Sequence, residues 1–167
     1  VKIPLGVSKI GGYAFESCDN LKSIEIPSSV TAIAYGAFWG CKSLLSIKIP
    51  SSVTEISSDA FSYCENLTEV KIPDSVVSIG ESAFYDAYNL YDIVIPESVT
   101  TIHNYAFAGC YDLSISILNP QCSIDFVHTD KSSQKCIHYS DIEHCTSSII
   151  KNNEFKCGSC KEGYQLT

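Results

Sequence analysis

The chain of 167 residues contains no methionine, no arginine and only one tryptophan. Without arginine, and with a formal net charge of −8, it lacks the clustered cations that neutralise phosphates, so nucleic-acid binding is not expected. It has no membrane span, so membrane contact is expected only through an anchor outside this sequence. It also lacks G-x-S-x-G, H-E-x-x-H and glycine-rich phosphate loops, so neither an enzyme nor a bound cofactor is expected.

The absence of methionine, together with a start inside a repeat strand at Val1, suggests a fragment of a longer array. Residues 1–118 are apolar and periodic, whereas residues 119–167 are polar and aperiodic. The first part has 6 lysines against 13 acidic residues, giving −7, and the second has 5 against 6, giving −1. We therefore predict a repeat domain over 1–118 and a separate C-terminal module over 119–167.

What the chain does have is a repeat of 23 residues. Four residue types recur at this spacing: Pro4, Pro27, Pro50, Pro73 and Pro96; Phe15, Phe38, Phe61, Phe84 and Phe107; Leu21, Leu44, Leu67, Leu90 and Leu113; and Ile10, Ile33, Ile56, Ile79 and Ile102. A period of this length is typical of a solenoid, in which each unit buries its apolar side only by stacking on its neighbours. Solenoids usually present a long surface to a partner.

Each unit reads L-x-x-I-x-I-P-x-S-V-x-x-I-x-x-x-A-F-x-x-C-x-x, most clearly from Leu44 to Asn66. The alternation around Ile47 and Ile49 predicts a strand with one buried face, which Pro50 then ends. The apolar spacing after the proline predicts a 3₁₀ or irregular turn on the opposite side. The phenylalanines are expected to form a column behind a parallel sheet.

This unit resembles the BspA-like, or Treponema pallidum-type, leucine-rich repeat over residues 1 to about 113. The resemblance implies a leucine-rich repeat solenoid with a parallel sheet on its concave face. It also implies a non-enzymatic, cell-surface or secreted protein that adheres to protein or glycoprotein ligands on host cells or extracellular matrix. One alternative is a structural spacer of a surface protein, and another is an intracellular leucine-rich repeat scaffold with a zinc-stapled tail.

A ligand would contact the outward positions of the concave strands. These positions form three columns, and the candidate ligand-binding residues are Lys22, Leu45, Thr68 and Tyr91 in the first, Glu69 and Asp92 in the second, and Glu25, Lys48, Lys71 and Val94 in the third. Lysine is concentrated in the third column, and Leu45 and Tyr91 are apolar anchors suited to protein recognition. Exposed strand positions also tolerate such residues without any ligand.

Cysteine occupies one repeat slot in four units, at Cys18, Cys41, Cys64 and Cys110, whereas Ala87 fills the slot in the remaining unit. Neighbouring coils would bring equivalent Cα atoms within disulfide range, but side chains in register do not face each other. Since alanine also fits, we predict buried free thiols rather than a disulfide or metal ladder.

The tail contains Cys122, Cys136, Cys145, Cys157 and Cys160 with few apolar residues, so it needs staples to fold. The ending from Cys157 to Tyr164 resembles the C-x-x-C-x-x-G-Y units of Cys-rich protist surface proteins, which implies disulfides of unknown pairing. Zinc is the alternative, because histidines lie beside Cys136 and Cys145. In the array, Asn66-Leu67-Thr68 is a possible glycosylation site.

Overall fold

A computed structural model describes residues 1–111, 113–119 and 121–124, together with the backbone of residues 145–151 and 154–160. Residues 1–124 form a parallel β-solenoid of short strands. The strands are β1 Lys9–Ile10, β2 Ala32–Ile33, β3 Ser46–Lys48, β4 Glu55–Ile56, β5 Glu69–Lys71, β6 Ser78–Ile79, β7 Asp92–Ile95, β8 Thr101–Ile102, β9 Ser114–Ile117, β10 Ser123–Ile124, β11 Cys145–Lys151 and β12 Glu154–Cys160.

The concave face is formed by the longer strands. β3 pairs in parallel with β5, and β7 pairs in parallel with β9. Their side chains alternate between exposed and buried positions, as the L-x-x-I-x-I pattern predicts, and Ile47, Val70 and Ile93 point into the core. In the last unit Ser116 takes an outward position opposite Val94, while the neighbouring isoleucines remain buried.

A second parallel ladder, which the sequence did not predict, runs behind the concave face. It consists of the two-residue strands β1, β2, β4, β6, β8 and β10, paired in that order. In this ladder Ile33 pairs with Ile56, and Ile79 with Ile102. We call it the back ladder. Because β10 belongs to it, the solenoid continues to Ile124, beyond the predicted division at Leu118.

A column of stacked phenylalanine rings runs through the hydrophobic core, as predicted. Successive rings from Phe15 to Phe107 are stacked with centroids 5.1–5.4 Å apart. Phe38, Phe61 and Phe84 are completely buried. Offset stacking stabilises aromatic pairs beyond their area burial, so the column supports every coil.

The convex side consists of consecutive turns, and none of its described residues forms a 3₁₀ helix, in contrast to one of the predicted options. Each coil from residue 11 to 109 has two slots with left-handed backbone conformation. The first contains Tyr13, Gly36, Asp59, Ser82 and Tyr105, and the second contains Ser17, Gly40, Tyr63, Asp86 and Gly109. These left-handed residues interrupt the right-handed backbone conformation twice per coil, which prevents a continuous helix.

The tail joins the solenoid by strand pairing. β11 pairs antiparallel with β9, with Ile149 opposite Ser116, and β12 pairs antiparallel with β11. The second edge of β9 is therefore covered, which protects it from pairing with other chains. The backbone of the Cys-rich segment thus extends the concave sheet. No helix in the described part of the chain is long and apolar enough to cross a membrane.

Candidate binding surface

The structure brings the predicted ligand-binding residues together on the concave face. In parallel register Ser46 lies beside Glu69, and Lys48 lies beside Lys71. Nine of the ten predicted side chains are exposed, namely Lys22, Glu25, Leu45, Lys48, Glu69, Lys71, Tyr91, Asp92 and Val94. Thr68 is half-buried, and its hydroxyl donates a hydrogen bond of 3.0 Å to the Leu45 carbonyl oxygen. Thr68 therefore stabilises the sheet and has less freedom to meet a ligand.

Two lysines lie side by side on the concave face. Lys48 and Lys71 are register partners on adjacent strands, which lie about 4.8 Å apart in a β-sheet. Like charges directly opposite each other are unfavourable. Among the described residues neither lysine has a salt bridge, whereas Lys2 pairs with Glu25 at 3.5 Å. A bound carboxylate or other anion would relieve this repulsion.

Apolar side chains are exposed on the same face as the lysine pair. Leu45 is 49 % exposed, Tyr91 is 61 % exposed and Val94 is 48 % exposed. Glu69 and Asp92 occupy successive positions of the middle column and supply acceptors. The face therefore offers anchors, cations and carboxylates on a rigid sheet, which is the composition of a protein-binding surface.

The array thiols lie behind this face. Cys41, Cys64 and Cys110 are free and buried, and each thiol donates to a phenylalanine carbonyl of the preceding coil at 3.0–3.3 Å. Cys18 is free and half-buried. Burial raises the pKa of Cys41 and of Cys110 to about 12, so both thiols remain protonated and poorly reactive.

Cys122 differs from the predicted disulfide-bonded set. It is a free thiol, 4 % exposed, and burial raises its pKa to about 11. Its backbone N–H donates to the Asn119 carbonyl, just as that of Val99 donates to Pro96. Cys122 therefore takes the valine position of the next coil, a relation that its spacing of 23 residues from Val99 could have revealed.

The remaining tail cysteines are only partly described. Cys136 lies outside the described residues, as do the histidines of the zinc alternative and the end of the C-x-x-C-x-x-G-Y segment, Gly163 and Tyr164. For Cys145, Cys157 and Cys160 only the backbone is described, and the register places the Cα of Cys145 opposite that of Cys160. Among the described residues no group of histidine, cysteine and carboxylate side chains could hold a metal ion.

Asn66, the possible glycosylation site, belongs to a hydrogen-bonded asparagine ladder. Its side-chain amide donates to the Lys42 carbonyl at 2.7 Å, and Asn89 donates to Glu65 at 2.8 Å. Asn66 is exposed, and one N–H of its side-chain amide is used in this bond. A glycan would replace the second N–H of the same amide.

Sequence reasoning missed the aromatic character of the convex side. Tyrosines do not follow one repeat slot, so they gave no periodic signal. In three dimensions, however, rings from different slots can meet, as Tyr13 meets Tyr35 with centroids 5.3 Å apart. Tyr88 and Tyr111, which share one slot, stack with centroids 5.7 Å apart. Hydrogen bonds with Tyr13 and then with Asp59 raise the pKa of Tyr35. Writing the sequence as stacked 23-residue rows could have indicated these contacts.

Comparison with known proteins supports the repeat assignment. A family model described as the BspA type leucine rich repeat region matches residues 1–114 in six copies. A leucine-rich repeat protein from Bacteroides ovatus is 33% identical with a TM-score of 0.71, over 77% of this chain and 34% of that one. The leucine-rich repeat protein of T. pallidum is 28% identical with a TM-score of 0.63, over 75% of this chain and 72% of that one.

A third similar structure is a leucine rich cell surface protein from Faecalibacterium prausnitzii. It is 39% identical with a TM-score of 0.57, over 68% of this chain and 29% of that one. The chain thus spans about a third of the length of the Bacteroides ovatus protein. None of the curated proteins matches it.

Proposed function

Because the chain belongs to the BspA-type leucine-rich repeat family, we propose that its concave face binds protein or glycoprotein ligands in adhesion at a cell surface. The observation that carries this proposal is the pair of Lys48 and Lys71, which form no salt bridge among the described residues, on a face that also exposes apolar side chains. A ligand with a carboxylate or sulfate group and an apolar neighbour would satisfy both features.

Binding would consist of many weak contacts made on a surface that is already ordered. The strands beneath the face are held by the buried side chains of Ile47, Val70 and Ile93, so little conformational entropy is lost on binding. Further coils would extend the same columns, and the contact area would grow with the array. The surface location is supported by the leucine rich cell surface protein among the similar structures.

The test uses the double variant Lys48→Glu with Lys71→Glu. The probes are extracellular matrix deposited by cultured epithelial cells and fixed intact cells of the same line. We expect the amount of variant bound to these probes to fall about tenfold at physiological ionic strength, because glutamate would repel the anionic group that lysine attracts. Because both side chains are exposed, the free energy of unfolding measured in urea should be nearly the same for the variant and the natural chain.

A charge-matched control separates the concave face from net charge. The variant Lys9→Glu with Lys42→Glu changes the charge equally on the back ladder and the convex side. It should retain binding within about twofold. Equal loss in both double variants, or unchanged retention of a folded Lys48→Glu, Lys71→Glu protein, would contradict binding by the concave face.

The extracellular location can be tested through the tail. Non-reducing peptide mapping and zinc analysis of the natively purified chain distinguish disulfides from a metal staple. We expect a link between Cys145 and Cys160, because their Cα atoms are register partners and such partners lie within disulfide reach. One bound zinc per chain with no disulfide would instead favour an intracellular scaffold.

A further inference from the structure

The convex side carries a continuous strip of three aromatic rings, which we call the aromatic stripe. Its members are Trp39, Tyr63 and Tyr85, from three successive coils. The ring centroids of Trp39 and Tyr63 lie 5.1 Å apart, and those of Tyr63 and Tyr85 lie 5.4 Å apart. The rings meet edge to face and are half-exposed, so each leaves part of its surface open to solvent.

The stripe is fixed by the turn backbone beneath it. Tyr63 has a left-handed conformation with φ of 58°, and its N–H donates to the Tyr85 carbonyl at 2.7 Å. The preceding residue, Ser62, is completely buried, and its hydroxyl proton is shared between two acceptors, the Ser82 carbonyl oxygen and the Asp59 carboxylate. A small residue at Ser62 leaves room for the Tyr63 ring between the rings of Trp39 and Tyr85. The arrangement is therefore ordered before any partner arrives.

Carboxylates surround the stripe and cations do not. Glu16 occupies the slot of Trp39 in the preceding coil, and Asp86 directly follows Tyr85. The other described acidic residues of the convex turns are Asp19, Asp59, Glu65 and Glu81. Lys42 is the one lysine among the described convex turns, and its ammonium group is paired with Glu65 at 3.2 Å. The described convex turns therefore carry a net negative charge.

We propose that the aromatic stripe, with Glu16 and Asp86 at its ends, docks a partner-protein segment rich in lysine and arginine. Cations bind the faces of tryptophan and tyrosine rings through the ring quadrupole, and nearby carboxylates strengthen the attraction. Tryptophan and tyrosine are also the residues most often responsible for binding energy at protein interfaces. The stripe combines both features and is separate from the concave face.

A neutral glycan is the other class of ligand that stacks on exposed aromatic rings. It would gain from the rings but not from the net negative charge. The excess of carboxylates over free cations around the stripe therefore favours a basic peptide. This difference also makes the two classes separable, because removing carboxylates weakens only the binding of a cation.

The probe is a synthetic peptide of alternating arginine and glycine, used with the full chain, with a glutamate and glycine peptide as the negative control. Trp39 is the single tryptophan, so its emission reports contact with the stripe directly. We expect a saturable change in Trp39 emission. The variant Glu16→Gln with Asp86→Asn should weaken the peptide about tenfold, and Tyr85→Ser should do the same without a charge change.

The matched control is Glu69→Gln with Asp92→Asn, which removes the same charge from the concave face. It should leave peptide affinity within about twofold. Equal weakening by both charge variants would show attraction by net charge alone and overturn the proposal. So would the absence of a Trp39 change at saturation, or a neutral oligosaccharide that binds with equal strength before and after Glu16→Gln with Asp86→Asn. Because Asp86 also contacts Tyr88, Glu16→Gln alone is the second variant should the double variant not fold.

Discussion

The concave face and the convex side are formed by the same 23-residue unit, yet they follow different rules. On the concave face, equivalent residues lie in register, so Lys48 meets Lys71 and each column repeats one slot. On the convex side, rings from different slots meet, as Tyr63 does with Tyr85. On the concave face, the residue type at each slot therefore decides which side chains are neighbours. On the convex side, the packing of adjacent turns also decides which side chains meet.

The charges of the two sides differ as well. The concave columns contain Lys2, Lys22, Lys48 and Lys71 beside a few carboxylates, whereas the convex turns are predominantly acidic. A single solenoid can thus present a mixed-charge surface and an acidic aromatic surface on opposite sides. Since both depend on one core, the first question is how far a change in that core affects them together.

The largest effect is expected from the shared phenylalanine column. Phe61→Ala removes a fully buried ring that stacks on Phe38 and Phe84. It should lower the free energy of unfolding by about 3–5 kcal/mol. Urea unfolding measures this, with Leu45→Ala as the exposed control, expected to change stability by less than about 0.5 kcal/mol. A loss below about 1 kcal/mol would mean that the coils do not rely on this column.

The next prediction concerns the convex turns alone and compares two glycines of one slot. A methyl group on Gly80 would lie 2.5 Å from the Ser58 nitrogen of the preceding coil. Gly11 lies in the first coil of this sequence, and a methyl group there has no neighbour within 4 Å. Gly80→Ala should therefore cost about 1–3 kcal/mol. Gly11→Ala should be neutral or slightly stabilising, because it restricts the unfolded chain. Equal changes in melting temperature for the two variants would show that the preceding coil makes room for a methyl group at residue 80 without a loss of stability.

This glycine pair also shows where sequence reasoning stops. The strand around Ile47 and the phenylalanine column could be predicted, because burial alternates with the period and each coil repeats it. The back ladder was missed because Ala32–Ile33 is only two residues long and has no alternation to detect. The left-handed Tyr63 was missed because its conformation depends on the neighbouring coil. The close contact at Gly80 was missed because it is made with Ser58 of the preceding coil.

A third prediction uses the thiols between the two sides. The pKa of Cys110 in the folded chain is about 12, above the value of about 8.5 for an unperturbed thiol. The unfolded state therefore ionises first, so the thiol's contribution to stability is intact below pH about 8.5 and is lost as pH rises towards 12. Between pH 7.5 and 10, Cys110→Ala should lose about 1–2 kcal/mol less stability than the natural chain.

The measurement is urea unfolding at both pH values under reducing conditions. Ala87→Cys is the opposite change, because it places a thiol in the one coil whose cysteine slot holds alanine. This variant should lose more stability than the natural chain over the same pH range. Parallel pH curves for all three proteins would show that burial does not hold these thiols protonated.

The smallest expected effect is in the asparagine ladder, which joins the convex turns to the concave strands. Asn66→Ala removes the 2.7 Å hydrogen bond to the Lys42 carbonyl and should cost about 0.5–1.5 kcal/mol. Asn20→Ala, in the same slot of the first coil, is the control, because Asn20 makes no such bond among the described residues. An Asn66→Ala variant as stable as the natural chain would show that this hydrogen bond contributes nothing to stability.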